Sequence, residues 1–349
     1  MKKQGGYFGK MIKTIILFFL FDFVIGWRGL VSADEGWIIQ TIDANAPPSS
    51  CSIAVDTSNY LHISYVSSQQ PYKGRLKYAQ WDGIKWSTQT IDADGNVGGY
   101  ASIAMDSHNN LHIAYADHSN LKGILKYAKW DGIKWSTTTI DSDSEGDEYY
   151  SIAVDSNDFV YICYIKLGVA LKYAKWNGIA WTTSTINEIT GSVGMPSIAV
   201  GKTGYPEIAY WSWVENSLKY AKWDGISWTT STIDTNRSGQ YSSLVIAKDG
   251  QKHISYCDGL NSNLKYANWN GIVWSTTTVD TTYLSGSYTS ISLDNTNYPV
   301  ISYFQSSDRS TSPKTYLKYA KWNGSAWNIS TVDNSGDAWG ESSLVLDKN

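Results

Sequence analysis

One eleven-residue pattern dominates this chain and limits what it can fold into. It reads LKYAKWDGIKW at residues 125–135, and near-identical copies begin at Leu76, Leu171, Leu218, Leu264 and Leu317. Successive copies start 46 to 53 residues apart. Self-similarity at such a period is the signature of a repeat architecture, in which one supersecondary unit has been duplicated. The fold question therefore becomes which unit repeats.

Each copy of the pattern has the composition of a β-hairpin. Two aromatic runs flank an Asp-Gly or Asn-Gly pair, which is the strongest short-range hairpin signal. A type I′ turn needs positive φ at both central positions, and Asn, Asp and Gly tolerate that best. The sequence thus predicts six hairpins with two-residue turns.

A second strand pair recurs between the hairpins. Its first copy is SIAVD at residues 52–56 and LHISY at residues 61–65, joined by a short polar turn. Later copies of its first strand begin at Ser102, Ser151, Ser197, Ser243 and Ser290. Every full repeat therefore holds four short strands, which is the pattern of a β-propeller blade.

Side-chain size predicts which strand of the blade lies nearest the axis. Blades converge there, so the innermost strand needs small residues, and the SIAVD strand has Ala54, Ala104, Ala153, Ala199 and Ser292 at its middle. The polar strand that follows the hairpin turn, such as WSTTTID at residues 135–141, suits the outer edge. From the axis outward we name the strands A (SIAVD), B (LHISY), C (LKYAKW) and D (WSTTTID).

The count of strands predicts an all-β propeller with six complete four-stranded antiparallel blades and two single strands. A lone D strand at residues 37–43 precedes the first blade, and a lone A strand at residues 343–347 follows the last. Two more strands would complete a seventh blade. The expectation is therefore a seven-bladed ring, closed by the N-terminal D strand, in a chain truncated before its last B and C strands.

The first 33 residues have the layout of a signal peptide. Lysines precede an apolar run at residues 15–25, and the small residues at 31–33 suit cleavage before Asp34. Asp22 interrupts the run, which is shorter than the roughly 20 residues of a membrane span. We expect a signal peptide at 1–33, a propeller domain at 34–349, and a secreted or cell-surface protein without a membrane span once the leader is removed. An uncleaved N-terminal anchor is the alternative.

The composition argues against nucleic acid as a binding partner and against a framework of disulfide bonds. The net charge of −4 gives no basis for binding nucleic acid, whose phosphates need a basic surface. The three cysteines occupy different places in the repeat and form no disulfide framework. Stability must then come from packing, to which the 14% of aromatic residues would contribute.

The repeat LKYAxWDGxxW, TID, GxYxSIAVD, HISY resembles that of secreted bacterial propeller-repeat proteins, and more distantly that of the propellers of sialidases and fucose-binding lectins. The resemblance covers nearly everything after Asp34. The hairpin at residues 130–135 is similar to the sialidase Asp-box, but its Asp and Gly are adjacent, one residue short of that motif. The resemblance implies an extracellular propeller that binds carbohydrate, or a sialidase-like glycoside hydrolase.

The candidate binding residues lie on one face of the predicted propeller. The D–A and B–C loops vary in length and share this face, and variable loops on a rigid scaffold commonly carry binding sites. Trp211 and Trp213, placed in a B–C loop, are candidates for stacking on a sugar ring. Local loop packing is the open alternative for this tryptophan pair.

Four tyrosines form a second candidate set, since they occupy one equivalent position before strand A, near the channel mouth: Tyr100, Tyr149, Tyr241 and Tyr288. They could line repeated ligand sites, although packing beneath the D–A loops is the favoured alternative.

A sialidase-like site, as the resemblance implies it, would need clustered arginines, a tyrosine nucleophile with a glutamate, and an acid. After the leader the chain has Arg75, Arg237 and Arg309, all on variable-face loops but in non-equivalent positions. No compact Asp/Glu–Tyr group accompanies them, so we interpret the three arginines as ordinary solvent-exposed surface residues. An enzyme is therefore disfavoured, and no catalytic residue is predicted.

Acidic residues alternate around a glycine in one D–A loop, as in calcium loops: Asp141, Asp143, Glu145 and Asp147. The twelfth loop position is Ile152 rather than a carboxylate, so a solvated acidic loop is favoured; calcium is the only cofactor the sequence indicates. His62, His112 and His253 share one B-strand position on three blades and are interpreted as hydrogen-bonded sheet residues.

Together these patterns predict a non-enzymatic, exported propeller that binds an extracellular glycan or a surface protein through its variable-loop face, with glycan favoured. The alternatives are a sialidase-like hydrolase and a structural propeller module of a larger surface protein.

Overall fold

The computed structural model describes residues 14–16, 31–32, 37–43, 50–68, 73–119, 123–142, 149–166, 170–186, 191–308, 313–336 and 340–347. Every regular element in these ranges is a β-strand, which confirms the all-β prediction. Among the same residues no helix has the length and apolar character to cross a membrane.

Six sheets of four antiparallel strands form the blades of a β-propeller. Three short strands precede them: β1 (Thr14–Ile16), β2 (Val31–Ser32) and β3 (Ile38–Ile39). Blades 1 and 2 consist of β4 (Cys51–Val55), β5 (Leu61–Ser68), β6 (Gly74–Trp81), β7 (Trp86–Asp92), and β8 (Val97–Met105), β9 (Leu111–Asp117), β10 (Ile124–Trp130), β11 (Trp135–Asp141). Blades 3 and 4 consist of β12 (Ser151–Val154), β13 (Val160–Lys166), β14 (Ala170–Trp176), β15 (Trp181–Thr185), and β16 (Val193–Val200), β17 (Pro206–Ser212), β18 (Ser217–Trp223), β19 (Trp228–Asp234). Blades 5 and 6 consist of β20 (Ser238–Ile246), β21 (Lys252–Asp258), β22 (Asn263–Trp269), β23 (Trp274–Asp280), and β24 (Ser285–Leu293), β25 (Pro299–Ser306), β26 (Thr315–Trp322), β27 (Trp327–Gly336), and the last strand is β28 (Leu344–Leu346).

Strand order within each blade follows chain order, so each blade is an A-B-C-D meander as predicted. Neighbouring A strands contact one another, which confirms that strand A lies innermost. Six complete blades are confirmed, and the described residues contain no seventh four-stranded sheet. The remaining strands form two pairs, in which β28 lies antiparallel to β1 and β3 lies antiparallel to β2.

A ring of hydrogen bonds links the A strands around the axis. In each link a backbone N–H donates to the serine hydroxyl of the preceding A strand, as Ile103 does to Ser52 at 3.2 Å. The other links are Ile152 to Ser102, Ile198 to Ser151, Leu244 to Ser197, Ile291 to Ser243, Leu344 to Ser290 and Ile53 to Ser343. The last two links involve Leu344 of β28 and the adjacent Ser343, so β28 joins the six A strands in this series of hydrogen bonds.

The tryptophans of the hairpins pack across each hairpin and between blades, as predicted, although all except Trp228 are half-buried rather than fully buried. Across each hairpin the two indole centroids lie 5.5 to 5.7 Å apart. Between blades, a C-strand tyrosine meets the first D-strand tryptophan of the next blade edge to face, as Tyr127 meets Trp181 at 4.9 Å. Tyr319 of blade 6 makes the same contact with Trp37, which precedes β3, at 5.1 Å.

The hairpin turns differ from the predicted type. Trp81 pairs with Trp86, so four residues form the turn rather than two. Asp82 Oδ1 accepts hydrogen bonds from the backbone N–H groups of Ile84 and Lys85, both at 2.9 Å. Because this side chain closes the turn, only Gly83 needs positive φ, at 89°. The two-residue type I′ prediction was therefore wrong, although all six hairpins are present.

Candidate functional site

A cavity of about 190 Å³ opens on the propeller axis, where the A strands begin. The D–A loops lead into these strand ends, so the cavity lies on the predicted variable-loop face. Six of its lining residues occupy one equivalent position of the repeat, two residues before the serine that begins SIAVD or its counterpart. They are Tyr100, Tyr149, Met195, Tyr241, Tyr288 and Glu341. The structure thus brings all four predicted tyrosines together around one cavity.

The backbone at this position is unusual. Five of these residues have left-handed φ angles: 51° at Tyr100, 74° at Tyr149, 52° at Met195, 54° at Tyr241 and 49° at Tyr288. Bulky residues rarely adopt such angles, and each instance costs about 1 to 3 kcal/mol. Residues with strained backbone angles persist only where the surrounding structure fixes them in place. They are found most often at active sites and ligand-binding sites.

A bulge in strand A produces this geometry. In β20 the pairing register shifts between Gln240 and Ser243, so Tyr241 leaves the regular ladder. Bulges re-aim side chains in this manner. Gly239, two residues earlier, has φ of 122°, and a Cβ there would lie 2.7 Å from the Leu218 Cα of the preceding blade. The glycine of GxY therefore permits the close blade contact from which the tyrosine projects.

The tyrosines form two aromatic pairs on the cavity wall. The ring centroids of Tyr241 and Tyr288 are 4.4 Å apart, and those of Tyr100 and Tyr149 are 5.2 Å apart. Met195 lies between the two pairs in ring order. Burial is the main cause of a raised pKa at Tyr241, and the neighbouring Tyr288 and Tyr149 raise this pKa further. The Tyr241 hydroxyl therefore stays neutral at physiological pH.

Glu341 is the only charged side chain among the described residues that line the cavity. Its Oε2 accepts a hydrogen bond from Ser50 Oγ at 3.0 Å. Burial, with a contribution from this carboxylate, raises the pKa of the nearby Cys51 thiol to about 12. The site therefore combines aromatic faces, neutral hydroxyls and one carboxylate, and lacks a cationic clamp for an anionic ligand among its described lining residues.

The two predicted tryptophans differ in exposure. Trp211 lies within β17 and is only 1% exposed, because the strand continues through Ser212 and buries it against the blade. Its expected place in a loop was wrong, and its ring is not available to a ligand. Trp213 is 49% exposed and meets Trp211 edge to face at 5.8 Å. Its Nε1 lies 3.0 Å from where a Cβ of Gly194 would be, beside the cavity residue Met195.

The predicted arginines do not join the cavity. Arg75, at the start of β6, and Arg237, just before β20, are both exposed, and neither lines it. Arg309 lies outside the described residues. The two described arginines thus supply no part of a carboxylate clamp at the axis.

The predicted calcium loop is represented by one residue. Asp141 ends β11, and its Oδ2 accepts a hydrogen bond from the Tyr164 hydroxyl at 2.7 Å and pairs with Lys172 Nζ. Its carboxylate therefore links two blades. Asp143, Glu145 and Asp147 lie outside the described residues.

A different group has ligand atoms close enough together for a metal ion. Asp106, His108 and Asp158 offer atoms within 4.8 Å of one another on the opposite face. Two of these three residues already bond to each other between blades, since His108 Nδ1 lies 2.9 Å from Asp158 Oδ2. This geometry is explained by contacts between A–B turns.

No family model matches the chain, and no curated protein matches it. Several solved structures do match the chain, as the following three show. A lectin from Aleuria aurantia in complex with Fucα1-6GlcNAc is 16% identical over 83% of this chain and 98% of its own, with a TM-score of 0.55. The SapL1 lectin in complex with α-methyl fucoside is 15% identical over 81% and 95%, with a TM-score of 0.54. The Hadza microbial sialidase Hz136 is 11% identical over 77% and 67%, with a TM-score of 0.52.

At these identities the likeness shows the fold alone. The propeller of this chain is similar to those of lectins and of a sialidase, in line with the distant resemblance read from the repeat.

Two cavity residues were not predicted from the sequence. Met195 and Glu341 share the tyrosine position, but neither is aromatic and neither follows a GxY motif. The available signal was their place in the repeat, because Met195 stands two residues before the serine of SIAV, and Glu341 stands two residues before Ser343.

Proposed function

We propose that this protein is a non-enzymatic carbohydrate-binding propeller whose ligand site is the tyrosine-lined cavity on its axis. The observation that carries the proposal is the set of four tyrosines held by left-handed backbone at one repeat position and grouped around that cavity. Strained, solvent-facing aromatics on a rigid scaffold fit ligand recognition better than packing alone.

The chemistry of the cavity supports a neutral sugar. Apolar C–H faces of a sugar ring stack on aromatic side chains, while its hydroxyls exchange hydrogen bonds with tyrosine and serine hydroxyls. Glu341 offers a charged acceptor, which makes a stronger hydrogen bond than a neutral one. The similar lectin structures carry fucose-containing ligands, so fucosides are the first class to test.

The sialidase-like alternative receives no comparable support, because the described arginines lie away from the axis. We also propose that the protein acts outside the cell, with residues 1–33 as its signal peptide.

The scaffold we propose for this site is a ring of seven positions. Three contacts support it: the serine hydrogen bonds that pass through β28, the packing of Trp37 on Tyr319, and the hydrogen bond from the Tyr65 hydroxyl to Asp43 at 2.9 Å. In this arrangement β28 is the A strand and β3 the D strand of the seventh position.

A glycan array tests the function. The full chain is produced with export, its N-terminus is determined, with Asp34 expected, and binding is compared with that of a Tyr241→Ala/Tyr288→Ala variant. We expect binding of a defined glycan, weakened roughly tenfold or more by the double substitution, which corresponds to about 1.4 kcal/mol. The control is Ile133→Ser at a hairpin tip, since Ile133 is 85% exposed.

Two outcomes would count against the proposal: a folded wild-type protein that binds no glycan, or a double variant that binds as tightly as the control.

A further inference from the structure

The wall of the axial cavity is built from groups that attract a positive charge. Its aromatic pairs are Tyr100 with Tyr149 and Tyr241 with Tyr288, and Met195 separates the pairs in ring order. All five side chains are half-buried, so part of each remains accessible. The face of an aromatic ring carries negative potential, and a thioether sulfur is polarizable. A cation in the cavity is therefore attracted from several directions.

Glu341 adds a carboxylate to this wall. It precedes Ser343 and Leu344, whose hydrogen bonds reach blade 1 and blade 6, so it lies between these blades and away from Met195 of blade 4. Its Oε2 accepts a hydrogen bond from Ser50 Oγ at 3.0 Å, which orients the carboxylate. No lysine, arginine or histidine belongs to the described lining. That lining therefore carries net negative charge and suits a cationic ligand.

The same chain already holds ammonium groups with these two elements. Lys126 Nζ lies 5.6 Å from the centroid of the Tyr115 ring and pairs with Asp92. Three other junctions between D strands and the following blade repeat this arrangement: Lys77 with Tyr65 and Asp43, Lys172 with Tyr164 and Asp141, and Lys265 with Tyr256 and Asp234. A tyrosine face and a carboxylate thus form an ammonium site in this protein, and the described lining of the axial cavity offers both without a lysine.

Hydrogen bonds between neighbouring A strands fix the wall residues in place. The backbone N–H of Tyr241 donates to Met195 Sδ at 3.0 Å. Hydroxyl groups of the next strand bind the carbonyl oxygens of three wall residues: Ser242 that of Met195 at 3.1 Å, Thr289 that of Tyr241 at 2.8 Å, and Ser342 that of Tyr288 at 2.5 Å. A wall fixed in this way loses little conformational entropy when a ligand binds.

The size of the cavity favours a compact ligand. Its volume of about 190 Å³ is below the roughly 300–1,000 Å³ of sites for drug-sized molecules. A quaternary ammonium group is compact, has no N–H group that needs an acceptor, and binds well among aromatic faces.

We propose that the axial cavity binds a methylated ammonium group, such as that of choline, with the tyrosine faces around its methyl groups and Glu341 as its counter-charge. This ligand class goes beyond the glycan proposal and does not depend on it, because it uses ring faces and charge rather than hydroxyl groups.

Titration calorimetry of the full chain at constant ionic strength tests the proposal. The probes are tetramethylammonium, choline and 3,3-dimethylbutan-1-ol, in which a carbon atom replaces the nitrogen of choline and removes its charge. We expect both cations to bind with dissociation constants of roughly 1 mM or lower, and the neutral alcohol to bind at least about tenfold more weakly. An alcohol that binds as tightly as choline would overturn the proposal.

Two pairs of variants assign the binding to this cavity. Glu341→Gln should weaken choline binding roughly tenfold and leave the alcohol unaffected, whereas Glu215→Gln, which removes an exposed carboxylate from a B–C loop on the same face, should change neither. Tyr241→Phe/Tyr288→Phe keeps the ring faces and should retain choline binding within about threefold, whereas Tyr241→Leu/Tyr288→Leu should weaken it roughly tenfold or more. Thermal unfolding midpoints check that each variant is folded. Equal effects of the phenylalanine and leucine pairs, or undiminished choline binding by Glu341→Gln, would contradict the proposal.

The source of the ammonium group is distinguished with vesicles. Sedimentation with phosphatidylcholine vesicles, but not with phosphatidylglycerol vesicles, would identify a lipid headgroup, and choline binding without sedimentation would identify a free small molecule. Glycan binding without any binding of tetramethylammonium overturns this inference and leaves the proposed function in place. The reverse result overturns the glycan proposal alone.

Discussion

At the scale of single residues, His253 shows how the blade interior constrains protonation. It lies on β21 and is 5% exposed, and its Nδ1 is 2.5 Å from the Tyr266 hydroxyl. Burial lowers its pKa to about 4 from the ordinary value of 6.5. Burial likewise lowers the pKa values of His62 and His112, against the opposing effect of nearby aspartates. The folded protein therefore holds neutral imidazoles where the unfolded chain would take up protons.

This predicts a loss of stability in mild acid. As pH falls below about 6.5, the unfolded chain binds a proton at His253 that the folded protein does not bind until about pH 4, so the free energy of unfolding decreases across that window. The loss attributable to His253 is on the order of 3 kcal/mol. Urea denaturation at pH 7.5, 5.5 and 4.5 measures it.

His253→Val is the comparison for this effect, because Val300 occupies the same position in blade 6. The variant should show a shallower decline between pH 6.5 and 4. Equal declines in both proteins would contradict the assignment.

Asp92 affects stability in a different pH window. Burial opposes ionisation of its carboxyl group, but hydrogen bonds from Lys126 and other groups outweigh burial and lower its pKa. The stabilisation from Asp92 is therefore lost only as pH falls below the unfolded value near 4.

At the scale of elements, the start of strand A combines close packing with a bulge. β20 approaches β18 so closely that a Cβ at Gly239 would lie 2.7 Å from Leu218 Cα, and the bulge that follows directs Tyr241 to the axis. A methyl group at Gly239 would force the two strands apart and shift the tyrosine with them.

We predict that Gly239→Ala destabilises the protein by more than about 2 kcal/mol and weakens glycan binding. Gly271→Ala separates the two causes, because Gly271 also has positive φ, at 102°, but no atom lies within 4 Å of the position that a Cβ would take there. That control should cost only the backbone strain, about 1 to 2 kcal/mol, and should leave binding intact. Thermal denaturation and glycan titration measure both, and similar losses in the two variants would contradict the close-packing explanation.

Periodicity predicted most of these elements. Aromatic runs and Asp-Gly pairs located the hairpins, and the SIAVD and HISY pairs located the inner strands. The turn type could not be read from the same letters, because it depends on Asp82 bonding to two backbone N–H groups rather than on its tolerance of positive φ. Trp211 was misplaced for a similar reason: where β17 ends depends on pairing with β18, which sequence letters do not reveal.

At the scale of the whole molecule, the A strands of the six blades and the residues just before β28 together create the candidate site. The equivalence of Tyr100, Tyr149 and their counterparts was visible in the repeat, so four wall residues were predictable. Glu341 was not, since it becomes a neighbour of Tyr288 only when β28 takes its place in the ring. The cavity is thus a property of ring closure rather than of any single repeat.

Ring closure through β28 makes a measurable prediction. Ser343 accepts the backbone N–H of Ile53 at 3.2 Å, as Ser243 accepts that of Ile291 at 3.2 Å. Ser343→Ala and Ser243→Ala should therefore destabilise the protein equally, by about 1 to 3 kcal/mol, since each leaves one N–H without its acceptor. Equilibrium denaturation compares them, and a Ser343→Ala protein as stable as the wild type would show that β28 does not close the ring.

The cavity wall takes one side chain from each of several near-identical blades, while glycines, serine links and tryptophan pairs elsewhere in the repeat maintain the scaffold. Substituting one wall residue therefore changes a single sector of the binding surface and leaves the ring that supports it intact. In a repeat of this kind, the residues that would contact a ligand are different from those that hold the fold together. At Met195 and Glu341 the wall carries a residue other than tyrosine on the same scaffold.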